Sequence, residues 1–133
     1  MILLDTHALL WMDADDPALG PRSRELISAA WKDGGVAVSA ITFWEVAMLV
    51  QRGRVRLPVA VQDWRADLTM AGVQEIAVDG RIGLAAAALE GLHRDPADRF
   101  IVATALENGA SLVTADALIL GWGGVLDRVD ARN

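Results

Sequence analysis

The chain has 133 residues, 53% hydrophobic and 23% charged, which suits one compact domain and is too apolar for a disordered chain. A formal net charge of −6 argues against holding nucleic acid by bulk electrostatics, and the lack of cysteine excludes disulfides and thiolate ligands, so any metal would be a hard cation such as Mg²⁺ or Mn²⁺ rather than zinc. No apolar or glycine run approaches the roughly 20 residues of a bilayer span, and the opening Met1-Ile2-Leu3-Leu4-Asp5 has no basic leader; the expectation is a cytoplasmic protein with no membrane contact.

In chain order, short β-rich runs alternate with longer helical ones, the pattern of a parallel sheet with crossover helices. Strands are predicted at Met1 to Leu4, Val36 to Ser39, Val73 to Val78, Ser111 to Thr114 and Val125 to Val129. Helices are predicted to begin near Thr6, Pro21, Thr42, Pro58, Asp79, Pro96 and Ala117, three of them with proline in the first turn, where its missing N–H costs nothing. Gly34, Gly53, Gly72, Gly91 and Gly109 stand where helices should stop. No repeat, linker or low-complexity segment interrupts this single domain, residues 1–133.

The acids fall at telling places. Asp5 ends the first predicted strand, Glu45 lies in the first turn of the helix after the second, Asp98 lies in the first turn of the Pro96 helix, and Asp116 follows the fourth strand. In an open parallel sheet the carboxyl ends of the strands share one edge, and ligands bind there where strand order reverses. Asp5, Ser39, Glu45, Asp98 and Asp116 are therefore placed to converge. Several carboxylates so gathered cannot all stay ionised without cations, and an all-oxygen site suits one or two Mg²⁺ or Mn²⁺ ions. Each acid also has a structural reading: Asp5 and Asp116 as N-caps, Thr42 and Glu45 as a capping box, Asp95 as the cap of the Pro96 helix with Asp98 in its favourable first turn. Spacing alone leaves capping and catalysis equally open.

Four segments carry a resemblance. Ile2-Leu3-Leu4-Asp5-Thr6-His7 looks like the strand-plus-DTH start of bacterial PIN domains, and Val38-Ser39-Ala40-Ile41-Thr42-Phe43-Trp44-Glu45 resembles their Ser/Thr-rich turn and W-E helix. Asp95-Pro96-Ala97-Asp98-Arg99 resembles the DPxDR helix start, and Thr114-Ala115-Asp116 the terminal T-x-D. In order and spacing these are similar to the VapC-type toxins of that family. The resemblance implies a three-layer α/β/α sandwich with a mainly parallel sheet of about five strands and a metal-dependent endoribonuclease activity. It makes Asp5, Asp98 and Asp116 the Mg²⁺ or Mn²⁺ ligands, Glu45 a fourth catalytic acid that orients water, and Ser39 and Thr114 polar neighbours, with Asp95 assigned to capping. It further implies an RNA substrate, a VapB-like antitoxin in a groove lined by Trp11, Trp44 and Met48, and a homodimer.

Other strand-end aspartate chemistries fit less well. A phosphoryl-transfer receiver needs an adjacent acid pair and a late strand-end lysine, and a haloacid-dehalogenase-like domain needs D-x-D; this chain offers Asp5-Thr6-His7 and only Lys32. A pure interaction module remains the non-enzymatic alternative. His7 and His93 read as hydrogen-bonded helix-start residues, Trp11, Trp31, Trp44 and Trp64 as core, and Arg52, Arg54 and Arg56 as a solvated turn able to touch phosphates.

Overall fold

In the computed structural model, which describes residues 1–133, five strands form one sheet. They are β1 (Ile2–Leu4), β2 (Val36–Ser39), β3 (Gln74–Ile76), β4 (Ser111–Thr114) and β5 (Arg128–Asp130). Their order is β3-β2-β1-β4-β5, and all four pairings are parallel, with Leu3 opposite Ala37 on one side and Leu112 on the other. The helices are α1 (Thr6–Asp13), α2 (Pro21–Lys32), α3 (Ile41–Gln51), α4 (Val61–Ala71), α5 (Gly80–Ala88), α6 (Pro96–Glu107) and α7 (Ala117–Leu120).

Side-chain alternation along the central strands explains the layering, because successive residues point to opposite faces. Ile2 and Leu4 of β1, Val36 and Val38 of β2 and Val113 of β4 pack with Leu9, Ile27, Trp64 and Leu68 of α1, α2 and α4. Leu3, Ala37 and Leu112, one residue out of phase, pack on the other face with Ile101, Val102 and Ala105 of α6 and Ile119 of α7. Both faces are therefore apolar, which is why these strands read as continuous hydrophobic runs. Leu3, Leu4, Leu9, Ile101, Leu112 and Ile119 are wholly buried, each contributing about 1.5–3 kcal/mol relative to exposure. The three-layer sandwich follows.

The chain runs outward from β1 through β2 to β3, then crosses back to place β4 on the other side of β1. Strand order thus reverses beside β1, and the crevice opens at the carboxyl ends of β1 and β4, just before Asp5 and Ala115. All five glycines expected to stop helices have positive φ, where a β-carbon would strain the backbone.

Local expectations fail in several places, and the last strand is one: β5 starts at Arg128, and Val125, expected to open it, is exposed. Pro58 does not start a helix: α4 begins at Val61 with Ala60 as its N-cap, and Pro58 lies in the approach. Because α3 begins at Ile41, Glu45 sits in its second turn, and no side chain caps that helix. The Thr42–Glu45 capping box does not form, since both side chains bond across to Thr6 instead. Trp44 is not core; it is 51% exposed, whereas Trp64 is buried with its Nε1 donating to Asp13 Oδ2 at 2.8 Å.

Candidate active site

Asp5 follows β1 and caps α1, its Oδ1 accepting from the Ala8 N–H at 2.8 Å. Its Oδ2 accepts from the Thr114 hydroxyl, the last residue of the neighbouring strand β4, and Thr114 Oγ1 in turn accepts from the Asp116 N–H at 3.1 Å. Thr114 is fully buried, so one hydroxyl links the two strand ends and fixes the acids that follow each. Asp116 caps α7 through the N–H groups of Leu118 and Ile119.

Glu45 reaches the crevice from α3. Its Oε1 accepts from Thr6 Oγ1, which lies 3.2 Å from Thr42 Oγ1, an arrangement that lets Thr42 donate to Thr6. No protein donor reaches Oε2. Asp98 is held on α6 by His93, whose Nε2 lies 2.7 Å from its Oδ2. The connection carrying His93 and Asp95 is anchored by Arg99, whose guanidinium donates to the carbonyls of Ala86, Ala87, Leu89, Leu92 and His93. A guanidinium suits this because its five N–H donors spread in a fixed plane.

Asp5, Glu45, Asp98 and Asp116 line one cavity of about 400 Å³, together with Thr6, His7, Trp11, Asp95 and Arg132. Ligand atoms of Glu45, Asp95 and Asp98 lie within 4.8 Å of one another, as do those of His93, Asp98 and Asp116. Asp98 is thus common to both clusters. Ser39 does not join them: it is fully buried, its Oγ accepts from the Ile41 N–H at 3.3 Å, and it shapes the β2–α3 turn without lining the cavity. Asp95, assigned to capping, does cap α6 at Ala97, yet it also faces the cavity. His93, read as an ordinary helix-start residue, holds Asp98, and its Nδ1 is buried without a partner. Of Trp11, Trp44 and Met48, expected to line a partner groove, only Trp11 lines this cavity.

Crowding of acids has electrostatic consequences. Burial pushes the Asp5 carboxyl up, against the lowering effects of its Thr114 and Ala8 hydrogen bonds. Burial likewise raises Glu45, opposed by Thr6 and reinforced by Asp95 and Asp5. Asp98 is raised to about 7, first by burial and then by Asp95, Asp116 and Glu45, with His93 pulling the other way. Five carboxylates line the cavity and only one arginine does. Such a donor set fits a hard divalent cation, which favours carboxylate oxygens and removes the mutual repulsion.

Residues 2–119 match the PIN domain family. Ribonuclease VapC22 from Mycobacterium tuberculosis is 34% identical over 116 residues, 86% of each chain. The fold resembles that of VapBC2 from Rickettsia felis bound to a DNA fragment from its promoter, with a TM-score of 0.70, 18% identity and 98% and 100% of the two chains covered. It also resembles a toxin-antitoxin complex from Klebsiella pneumoniae, with a TM-score of 0.64, 20% identity and 98% of each chain covered.

Proposed function

We propose, from the premise that this chain belongs to the PIN domain family, that it is a metal-dependent endoribonuclease, the toxin of a VapBC-type toxin-antitoxin pair. The observation that carries the reading is the convergence of Asp5, Glu45, Asp98 and Asp116 from four separate elements on one cavity, in a chain one-third identical to a VapC ribonuclease. Asp5, Asp98 and Asp116 would hold Mg²⁺ or Mn²⁺, with Asp95 beside them. The ion, when bound, would supply Lewis acidity toward the phosphodiester and a water acidified to near neutral pKa.

The chain's own residues do the rest. Thr114 and the Ala8 N–H fix both oxygens of Asp5, and His93 fixes one oxygen of Asp98, so these carboxylates are set before substrate arrives. Glu45, held at Oε1 by Thr6, has its second oxygen free to orient a water and to take its proton; a carboxyl raised by burial is a better acceptor than an ordinary one. The products are two RNA fragments from one hydrolysed phosphodiester bond.

The same reading includes an antitoxin encoded beside this chain, a homodimer and a cytoplasmic setting; no helix is long and apolar enough to cross a membrane. Purified protein incubated with cellular RNAs should yield discrete new ends with Mn²⁺ and none with chelator, and Asp98→Asn should lower the cutting rate about a hundredfold or more. Expression alone should arrest growth, and co-expression of the neighbouring small reading frame should restore it and co-purify. Identical growth and identical RNA for wild type and Asp98→Asn would refute the enzyme and leave an interaction module.

A further inference from the structure

An acidic protein with an acidic cavity repels the polyanion it is proposed to cut, so cations outside the metal site must hold the strand. Five of the eleven arginines are committed elsewhere, and Arg22 and Arg94 line neither the acid cavity nor the groove beside it. Arg24, Arg65 and Arg81 pair with Asp15, Glu75 and Glu107, while Arg99 and Arg128 are spent on backbone carbonyls. The side chains of Arg52, Arg54 and Arg56 make no ion pair or hydrogen bond and are exposed, together on the turn after α3.

Two cavities meet beside that turn. His7 and Trp11 line both the acid cavity and an adjoining groove of about 430 Å³, whose far wall carries Arg54, Arg56 and Pro58. Asp13 and Asp16 also line the groove, but Asp13 accepts from Trp64 Nε1 and Asp16 from the Ala18 N–H, and neither pairs with the arginines. On the acid side, Arg132 is the one arginine of the lining. It donates to the Ala115 carbonyl at 2.9 Å and lies over the Trp11 ring at 5.5 Å, yet pairs with none of the five carboxylates around it. Its position is fixed while most of its N–H donors stay free for an anion.

We propose that these cations form a track for single-stranded RNA that crosses the ridge of His7 and Trp11, with Arg132 binding the phosphate at the acid cavity and Arg54 and Arg56 binding phosphates of the flanking nucleotides in the groove. The inference rests on the ribonuclease reading and names how its substrate is held. A single strand suits the site because the acids are recessed, Asp5 being only 6% exposed, and a phosphate must enter the cavity to reach them. Arg132 lies outside residues 2–119, so the family match alone does not identify it.

The test measures binding apart from cleavage. Fluorescence anisotropy of a labelled short and a labelled long oligouridylate is followed against salt in an Asp98→Asn background, where the RNA survives. Each phosphate contact removed should flatten the slope of log affinity against log salt by about 0.7. Arg132→Ala should flatten it for both lengths, and Arg54→Ala with Arg56→Ala should flatten it by about twice as much for the long strand and far less for the short. Arg81→Ala, which removes the same charge outside both cavities, should leave the slope unchanged, and Arg132→Lys should restore most of what Arg132→Ala loses. Melting curves of each variant verify that it is folded. Slopes on the long strand that are the same for all variants would overturn the track, even if the wild-type protein cuts RNA; loss of the co-purifying protein with RNA slopes intact would assign the groove to a protein tail instead, which also overturns it. A wild-type protein that cuts no RNA would sink the enzymatic reading, a result independent of these slopes.

Discussion

Replacing Asp98 by Asn should stabilise the metal-free protein at pH 8 and destabilise the metal-loaded one. Asp98 is 15% exposed, and its carboxyl is raised from 3.8 to about 7 by burial and three neighbouring acids. The folded state therefore holds this proton more tightly than the unfolded chain does, so apo stability falls as pH rises from about 4 to about 7 and stays low above that. At 1.36 kcal/mol per pH unit the gap amounts to about 4 kcal/mol, and screening at the open cavity mouth reduces it to about 2 kcal/mol. Asparagine has the same shape, cannot ionise, and its amide oxygen can still accept from His93. In chelator at pH 8 the Asn protein should melt about 7 °C above wild type, a difference that vanishes near pH 4. With Mn²⁺ at a hundredfold excess over Kd, wild type should gain about 2.7 kcal/mol while Asp98→Asn gains little, inverting the order. Thermal unfolding across pH 4–8.5 with chelator and with Mn²⁺ checks both limbs. An Asn protein no more stable than wild type at pH 8 in chelator, or a difference independent of pH, would refute the argument that crowded carboxylates strain this site.

Thr6→Val removes the donor to half-buried Glu45 and the partner of Thr42, leaving polar atoms unsatisfied; it should cost about 1–3 kcal/mol by urea denaturation and lower the cutting rate. In Arg99→Lys, at most three donors replace five hydrogen bonds that anchor the α5–α6 connection, so hydrogen exchange should accelerate across residues 89–95 and the Mn²⁺-dependent rise in melting temperature should shrink. A β-carbon on Gly20 would lie 2.2 Å from the backbone carbon of Asn133 and 2.3 Å from the Arg132 carbonyl oxygen, so Gly20→Ala must shift the segment that carries Arg132. It should cost about 1–3 kcal/mol and flatten the salt dependence of RNA binding in the way Arg132→Ala does.

Acids of the cavity were legible where a local signal marks them: Asp5 and Asp116 are N-caps that follow strand ends, and Asp98 stands in the first turn of α6, which Asp95 caps. Capping a helix and lining the cavity are not rivals here. Asp5 and Asp116 cap helices and line the cavity at once, since a carboxylate has more acceptor sites than a cap uses. Glu45 was singled out by its place on the helix after β2 and by the W-E resemblance, and the capping box set against that reading does not form; its partner is Thr6, 39 residues away, and no sequence window of a helical turn contains that pairing. Ser39 shows the opposite error, a strand-end hydroxyl whose backbone bond turns it away from the cavity.

The sequence by itself determined the alternation of strands and helices, the two apolar sheet faces and the glycine stops, because these depend on residue type at short range: side-chain period, proline's missing donor and glycine's freedom at positive φ. Tertiary structure alone decided that Asp95 faces the acids, that His93 holds Asp98, that Trp44 is exposed while Trp11 forms the ridge between two cavities, and that Arg132 reaches a site begun at Asp5. The physical reason is that strand order places β1 between β2 and β4, making neighbours of residues up to 127 positions apart. Such contacts depend on which helix lies over which strand end, and periodicity carries no record of that.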